Sequence, residues 1–199
     1  MTDYGRTDEA LARLTPALRA DYFKGKTVLV SGAGSGLGRG IAHWVARLGG
    51  NVVLCGRKED KLNAARDAVA QYGGETLVHA MSIRDPDAVE ALFAKAYERF
   101  GAVDLVVNNA GGQFPTHAID IPYKGWNAVI DTNLNGTWLM MQAAAKRWRD
   151  AAQPGSIVNI IAVVGRGMPG VAHTAAARAG VVALSKTVAI EWAPLKIRV

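Results

Sequence analysis

Short apolar runs rich in valine, leucine and isoleucine alternate along the chain with longer segments whose apolar residues repeat at helical spacing. The short runs predict β-strands over residues 26–31, 51–55, 75–81, 103–108 and 155–161. The segments around them predict helices over residues 37–50, 58–74, 85–101, about 123–150 and about 172–193. Nearly continuous apolar strands that alternate with helices are typical of a parallel sheet covered on both faces. The pattern therefore predicts an α/β fold, a doubly wound parallel sheet in a single domain.

The two ends of the chain depart from this alternation. Residues 1–24 are polar, with a short helical pattern at Leu11, Leu14 and Leu18, and we interpret them as an N-terminal extension to a domain over 25–199. The last residues, PLKIRV, predict a turn into a sixth strand. Because a sixth strand is not usually the last element of such a fold, we expect the domain to be truncated there, with its C-terminal part missing.

The composition is that of an ordinary globular protein. Half of the 199 residues are hydrophobic, and 23 basic against 17 acidic residues give a net charge of +6. The basic residues are scattered, so we expect no nucleic-acid partner. No apolar stretch is long enough to span a membrane and the first residues lack signal-peptide features, so we expect a cytoplasmic protein without membrane contact. Cys55 is the only cysteine and no metal-ligand spacing occurs, so neither a disulfide nor a metal site is expected.

A glycine-rich loop, SGAGSGLG over residues 31–38, joins the first predicted strand to the first helix of the repeating pattern. Glycine permits positive φ and a close approach of the backbone to a pyrophosphate, and the helix N-terminus supplies free N–H groups to phosphate. A tight turn alone also needs glycine, but this position in an alternating α/β chain favours a dinucleotide. The predicted contacts from this loop are Gly32, Gly34, Ser35, Gly36, Leu37 and Gly38.

The end of the second strand bears on the choice of cofactor. NAD selection usually needs an acidic side chain there to hold the adenosine 2′-hydroxyl. This strand instead ends in Gly56 and Arg57, with no carboxylate at that place. A guanidinium suits a 2′-phosphate, although a solvated arginine is the simpler alternative. We therefore favour NADP(H) over NAD(H).

Three motifs in the same order resemble those of the short-chain dehydrogenase/reductase family. They are the glycine loop, the Asn-Asn-Ala-Gly element at 108–111 and the DTNLNGT segment that contains Asn133. The resemblance covers about residues 25–199 and implies a Rossmann-type fold, a nicotinamide cofactor and a homodimer or homotetramer. It further implies cofactor contacts from Asn109, Ala110 and Gly111, a catalytic role for Asn133, and adenine contacts from Ser82 and Ile83.

The sequence departs from the family at its catalytic positions. The family normally ends the fifth strand with a catalytic serine and begins the next helix with Tyr-x-x-x-Lys. Here the serine position is Ala162 or its neighbour Val163, the tyrosine position is Thr174 and the lysine position is Arg178. An aliphatic hydroxyl cannot become as acidic as a phenol, and Arg178 stays protonated. Ordinary alcohol oxidation, which needs a general base, therefore looks disfavoured.

A narrower resemblance is to the peroxisomal trans-2-enoyl-CoA reductase branch of the family and to 2,4-dienoyl-CoA reductases. Its most specific points are the Gly-Gly-Gln-Phe segment that ends at Phe114 and the Ala-Ala-Arg-Ala-Gly segment over 176–180. The implied activity is NADPH-dependent reduction of an α,β-unsaturated acyl thioester, a reaction that needs charge stabilisation more than a strong acid. We expect Thr174 to donate to the thioester oxygen, Arg178 to anchor ribose and charge, and Asn133 to hold a water chain. The predicted substrate contacts are Gln113, Phe114 and Ala162.

Three alternatives stay open at this point. A carbonyl reductase or alcohol dehydrogenase of the same family could use another acid, such as Tyr123. The protein could instead be a catalytically inactive nucleotide-binding subunit. Finally, Thr174 could serve only as a helix N-cap and Arg178 only as a partner in a structural salt bridge.

Overall fold

A computed structural model describes residues 7–199 and shows a single six-stranded parallel sheet with helices on both faces. The strand order is β3-β2-β1-β4-β5-β6, and each neighbouring pair is parallel. The strands are β1 Thr27–Ser31, β2 Asn51–Gly56, β3 Thr76–Ala80, β4 Leu105–Asn108, β5 Gly155–Asn159 and β6 Ile197–Arg198. The predicted doubly wound α/β fold is confirmed, and each strand lies within two residues of the apolar run that predicted it.

Within residues 7–199, seven α-helices connect or precede these strands. They are α1 Asp8–Arg13, α2 Gly36–Arg47, α3 Glu59–Ala70, α4 Pro86–Phe100, α5 Tyr123–Ile130, α6 Gly136–Asp150 and α7 Ala172–Glu191. Local sequence explains both ends of α4. At its start the Asp85 carboxylate accepts hydrogen bonds from the Asp87 and Ala88 amides, and at its end Gly101 leaves the helix in the left-handed conformation, with φ 74°. Among residues 7–199 no helix is both long and apolar enough to cross a membrane.

The apolar core has two layers, one on each face of the sheet. Leu29 and Val106 face the layer covered by α4 and α6, where Phe93 and Trp148 are the largest buried side chains. The other layer lies beneath α2 and α3 and contains Val28 and further residues of β1 and β2. Burial on both faces explains why the strands have apolar runs rather than alternating patterns.

Cys55 is fully buried at the end of β2, as a packing residue rather than a reactive thiol. Burial raises the pKa of the Cys55 thiol to about 12. Little thiolate therefore exists at neutral pH, and the thiol contributes no nucleophile to the crevice described below.

The predicted long helical region over about 123–150 is confirmed, but its hydrogen bonding changes in the middle. Asp131–Asn135 forms a π-helical segment that separates α5 from α6. Apolar spacing continues through the segment, so periodicity could not reveal the change in hydrogen bonding. Single π-helical turns are frequent at functional sites, and this one contains Asn133.

The N-terminal helix α1 packs on α2. The Asp8 carboxylate contacts His43 Nε2 at 2.8 Å and forms an ion pair with Arg39. The helical pattern expected from Leu11, Leu14 and Leu18 is shorter than predicted, since α1 ends at Arg13, ahead of Pro16. Residues 1–6 of the predicted extension lie outside the described residues, and the division at residue 24 stays a prediction.

Candidate active site

A crevice opens at the carboxyl ends of the strands, where the strands that follow β1 in the chain are added to opposite sides of it. Strand β2 lies on one side of β1 and β4 on the other, which is the topological switch point where open α/β sheets bind ligands. The glycine loop leaves β1 at this point. Gly32 has φ 68° and Gly36 has φ 54°, values that favour glycine.

Close packing explains a further glycine of the loop. A Cβ on Gly38 would lie 2.3 Å from the carbonyl oxygen of Gly32 and 2.5 Å from Asn109 Nδ2. By contrast, a Cβ on Gly40, two residues further along α2, would have no heavy atom within 4 Å. The loop is therefore folded back against the start of α2, with room at Gly38 for a hydrogen atom only.

Hydrogen bonds from β4 brace the loop. The Ser31 hydroxyl oxygen accepts from the amides of Asn109 at 3.1 Å and Ala110 at 3.0 Å. The Asn109 side-chain amide donates to the Ser31 carbonyl at 3.0 Å and to the Gly32 carbonyl at 3.3 Å. The glycine loop and the Asn-Asn-Ala-Gly element are thus hydrogen-bonded into one unit. Its central acceptor is Ser31, which the sequence analysis did not identify.

A cleft of about 300 Å³ opens beside this unit. Most of the predicted cofactor contacts line it: Gly32, Gly34, Ser35, Arg57, Ser82, Ile83, Asn109, Ala110 and Gly111. Gly36, Leu37 and Gly38 are not among the lining residues; Leu37 is 71% exposed and Gly38 is buried against the loop. The location is consistent with a dinucleotide site, while the contacts themselves stay predictions.

Four cationic side chains lie around the end of the cleft that is next to the carboxyl ends of β2 and β3. Arg57 was a candidate from the sequence; Lys58 and Lys61 follow it closely along the chain, and Arg84 joins it only in the fold. All four are exposed, none forms a salt bridge within residues 7–199, and no carboxylate lines the described cleft. This end of the cleft can therefore receive an anionic group.

Asn133 lies buried in the π-helical segment, and both ends of its side-chain amide are hydrogen-bonded. Its Oδ1 accepts from the Gly112 amide and its Nδ2 donates to the Gly112 carbonyl, both at 2.9 Å. The side chain therefore fixes the segment that follows β4, while its expected role in holding a water chain stays a prediction. Its main-chain carbonyl faces Thr137 Oγ1 at 3.0 Å and Arg178 Nη1 at 3.5 Å.

Arg178 projects from α7 toward the same segment. A Cβ on Gly111 would lie 2.1 Å from Arg178 Nη2, so glycine makes room for the guanidinium. Arg178 is 8% exposed and has no salt-bridge partner within residues 7–199. Burial lowers the pKa of Arg178, but a guanidinium starts so high that it stays charged at neutral pH. An unpaired buried cation is costly, which indicates a site for acceptor groups of a ligand.

Thr174 lies one turn before Arg178 and is 4% exposed. It is not the N-cap of α7, because that position is Val171. The polar contact of its hydroxyl is with His173 Nδ1, at 3.3 Å. The structure therefore disagrees with both simple alternatives, that of Thr174 as a cap and that of Arg178 in a salt bridge.

The three predicted substrate contacts differ in how far their side chains are buried. Phe114 is half-buried, with its ring packed edge-on against His173 at 4.5 Å between centroids and in close contact with Gly125 of α5. Gln113 is exposed. Ala162 is half-buried in the loop after β5. The three residues lie on loops after β4 and β5, and their contacts with a substrate stay predictions.

Comparison with known proteins gives consistent matches over the domain. A family model for short chain dehydrogenases matches residues 26–199. A probable 2,4-dienoyl-CoA reductase of Bacillus subtilis is 38% identical over 168 residues, 84% of this chain and 66% of the relative. An L-rhamnose 1-dehydrogenase (NAD(P)(+)) of Azotobacter vinelandii is 37% identical over 181 residues, 87% of this chain and 70% of the relative.

A solved structure agrees in both sequence and fold. The citronellol catabolism dehydrogenase of Pseudomonas aeruginosa superimposes with a TM-score of 0.88 at 38% identity, over 94% of this chain and 76% of that chain. The chain spans 61 to 70% of the length of the first curated relatives that it matches.

Proposed function

Because the chain belongs to the short-chain dehydrogenase family, we propose that it is an NADPH-dependent reductase of α,β-unsaturated acyl thioesters. Within the family it is similar to 2,4-dienoyl-CoA reductases, with 31 to 38% identity. The observation that carries the proposal is the pairing of buried Thr174 with buried, unpaired Arg178 where the family normally has tyrosine and lysine. These groups can stabilise negative charge but cannot supply a titrating acid.

The reaction suits these two residues. The nicotinamide cofactor, when bound, supplies a hydride to the β-carbon, and the electrons of the double bond move to the thioester oxygen as an enolate. Thr174 donates a hydrogen bond to that oxygen, and the Arg178 charge stabilises it at low dielectric. The α-carbon then takes its proton from water or a weak donor. Asn133 contributes by fixing Gly112, and with it the segment against which Arg178 packs.

The residues of the crevice fit the cofactor. The glycine loop leaves space for a pyrophosphate, and the N-terminus of α2 lies beside it. Arg57, with Lys58, Lys61 and Arg84 around it, is suited to the 2′-phosphate of NADP(H). A homodimer or homotetramer, as is usual in the family, is part of the proposal.

Replacing Arg57 with leucine tests the cofactor preference. We expect kcat/KM for NADPH to fall about 10- to 100-fold, as for the loss of a charged hydrogen bond, with little change for NADH. Arg19→Leu, at an exposed position in the N-terminal region, removes the same charge and is the control. Equal losses with both cofactors would contradict a 2′-phosphate contact.

The substrate class is tested by NADPH oxidation with a panel of trans-2-enoyl-CoA and 2,4-dienoyl-CoA thioesters, with aliphatic ketones as controls. Turnover on thioesters alone supports the proposal. Turnover on ketones alone would favour the carbonyl reductase alternative, whose candidate acid Tyr123 is 81% exposed. Cofactor binding without any turnover would favour an inactive nucleotide-binding subunit.

Thr174→Val removes the hydroxyl while keeping the shape of the side chain. We expect kcat for an enoyl thioester to fall about 100-fold, the typical effect of losing one oxyanion donor, with NADPH affinity unchanged. Thr174→Ser keeps the hydroxyl and should retain most of the activity. Equal activity of the valine variant and the wild type would exclude Thr174 as the donor.

A further inference from the structure

His173 is fully buried at the start of α7, beside Thr174, and the mechanism above assigns it no role. Its ring packs edge-on against Phe114, and its Nε2 has no hydrogen-bond partner within residues 7–199. Buried polar side chains are costly unless they are bonded. An apolar side chain would fill this place without that cost, so we look to the contacts of Nδ1 for what favours a histidine here.

The contacts of the ring fix where its hydrogen lies. The Thr174 amide donates to His173 Nδ1 at 2.7 Å, sharing its hydrogen with the Val171 carbonyl at 2.9 Å. An N–H group pointing at Nδ1 excludes a second hydrogen on that atom. The neutral ring therefore carries its hydrogen on Nε2.

This assignment sets the direction of the hydroxyl contact. Because Nδ1 carries no hydrogen, the Thr174 hydroxyl at 3.3 Å is the donor in this contact and shares the single Nδ1 lone pair with the amide. The contact is long, and such a bond is weak and easily exchanged for a better acceptor. Turning the O–H from Nδ1 to an oxygen of the substrate moves no proton between residues and leaves the amide contact in place.

We propose that His173 is a positioning residue that holds the Thr174 hydroxyl, through Nδ1, in place for the thioester oxygen of the substrate. The proposal rests on the proposed function, since it gives Thr174 the same task. The histidine itself donates no proton. The ring, packed against Phe114 and bonded through Nδ1 to the first turn of α7, offers the hydroxyl a nearby acceptor in a defined direction before substrate binds.

Three substitutions separate the two nitrogens of the ring. His173→Asn places an acceptor where Nδ1 lies, whereas His173→Gln places a donor where Nε2 lies, and His173→Phe keeps only the bulk. With trans-2-enoyl-CoA as substrate, we expect the asparagine variant to keep kcat within about threefold of the wild type. The glutamine and phenylalanine variants should lose about 10- to 100-fold in kcat, the effect of a misplaced catalytic group, with KM for NADPH unchanged.

Other orders of kcat among the three His173 variants overturn the proposal. Equal kcat in all variants would show that Thr174 needs no support, and equal loss in all three would assign the effect to packing. Higher activity with glutamine than with asparagine would assign the role to Nε2. Thermal unfolding of each variant with and without NADPH identifies any that fails to fold.

A readout that does not depend on turnover is the nitrogen-15 NMR spectrum of His173 in the full chain. We expect Nδ1 to resonate as an unprotonated nitrogen and Nε2 as a protonated one. A hydrogen on Nδ1 would overturn this proposal alone. Absence of turnover by the wild type on any thioester would instead contradict the proposed function, and with it the catalytic purpose of the pair.

Discussion

Gly38→Ala is expected to destabilise the fold and to abolish tight cofactor binding. The new methyl group would overlap the Gly32 carbonyl oxygen, 2.3 Å away, and that oxygen belongs to the braced loop and cannot move freely. Overpacking of this kind costs about 1–3 kcal/mol of the free energy of unfolding. Because the loop must shift, we expect the Kd for NADPH to rise at least about tenfold, or 1.4 kcal/mol.

Gly40→Ala is the matched control in the same helix. Its methyl group meets no atom within 4 Å, and alanine favours a helix interior over glycine by about 0.5–1 kcal/mol. We expect unchanged cofactor affinity and slightly higher stability. Urea unfolding and a fluorescence titration with NADPH measure both quantities. Equal behaviour of the two variants would show that the loop does not pack as described.

Arg178→Met is expected to separate stability from function. The guanidinium is 8% exposed without a salt-bridge partner in the described chain, so replacing it with an apolar side chain removes an uncompensated buried charge. We expect the Tm without cofactor to be equal to or higher than that of the wild type. Turnover of enoyl thioesters should fall at least about 100-fold because transition-state charge is no longer stabilised.

Arg178→Lys is the companion variant, since it keeps the charge with fewer donors. It should retain more activity than the methionine variant and gain less stability. Thermal unfolding and steady-state kinetics with NADPH give both readouts. A large drop in the Tm of Arg178→Met without cofactor would contradict the account, because it would show that the arginine serves the fold.

Much of the architecture could be predicted from sequence because burial on both faces gives each strand a continuous apolar run. The β1 run and the following glycines located the crevice, and the motif at Asn108–Gly111 pointed to the family, which is now confirmed. The π-helical turn at Asn133 could not be predicted, since apolar spacing is the same on either side of it. The roles of individual site residues and the preference for NADP(H) remain predictions.

Residues that meet only through the topology were the hardest to find. Arg84 follows β3, and nothing in the sequence places it beside Arg57. His173 was visible next to Thr174, but a lone histidine is usually a packing or surface residue. Its proposed role rests on the contacts of Nδ1 with the Thr174 amide at 2.7 Å and hydroxyl at 3.3 Å, which only the fold shows.

The most direct test of the central claim is to follow the hydride itself. NADPH labelled with deuterium at both C4 positions is incubated with the protein and a trans-2-enoyl-CoA, and the acyl product is analysed by mass spectrometry and NMR. The account predicts a saturated thioester with one deuterium at the β-carbon and none at the α-carbon, whose new hydrogen comes from water. An acyl chain recovered without deuterium, or with deuterium at the carbonyl carbon, would contradict it.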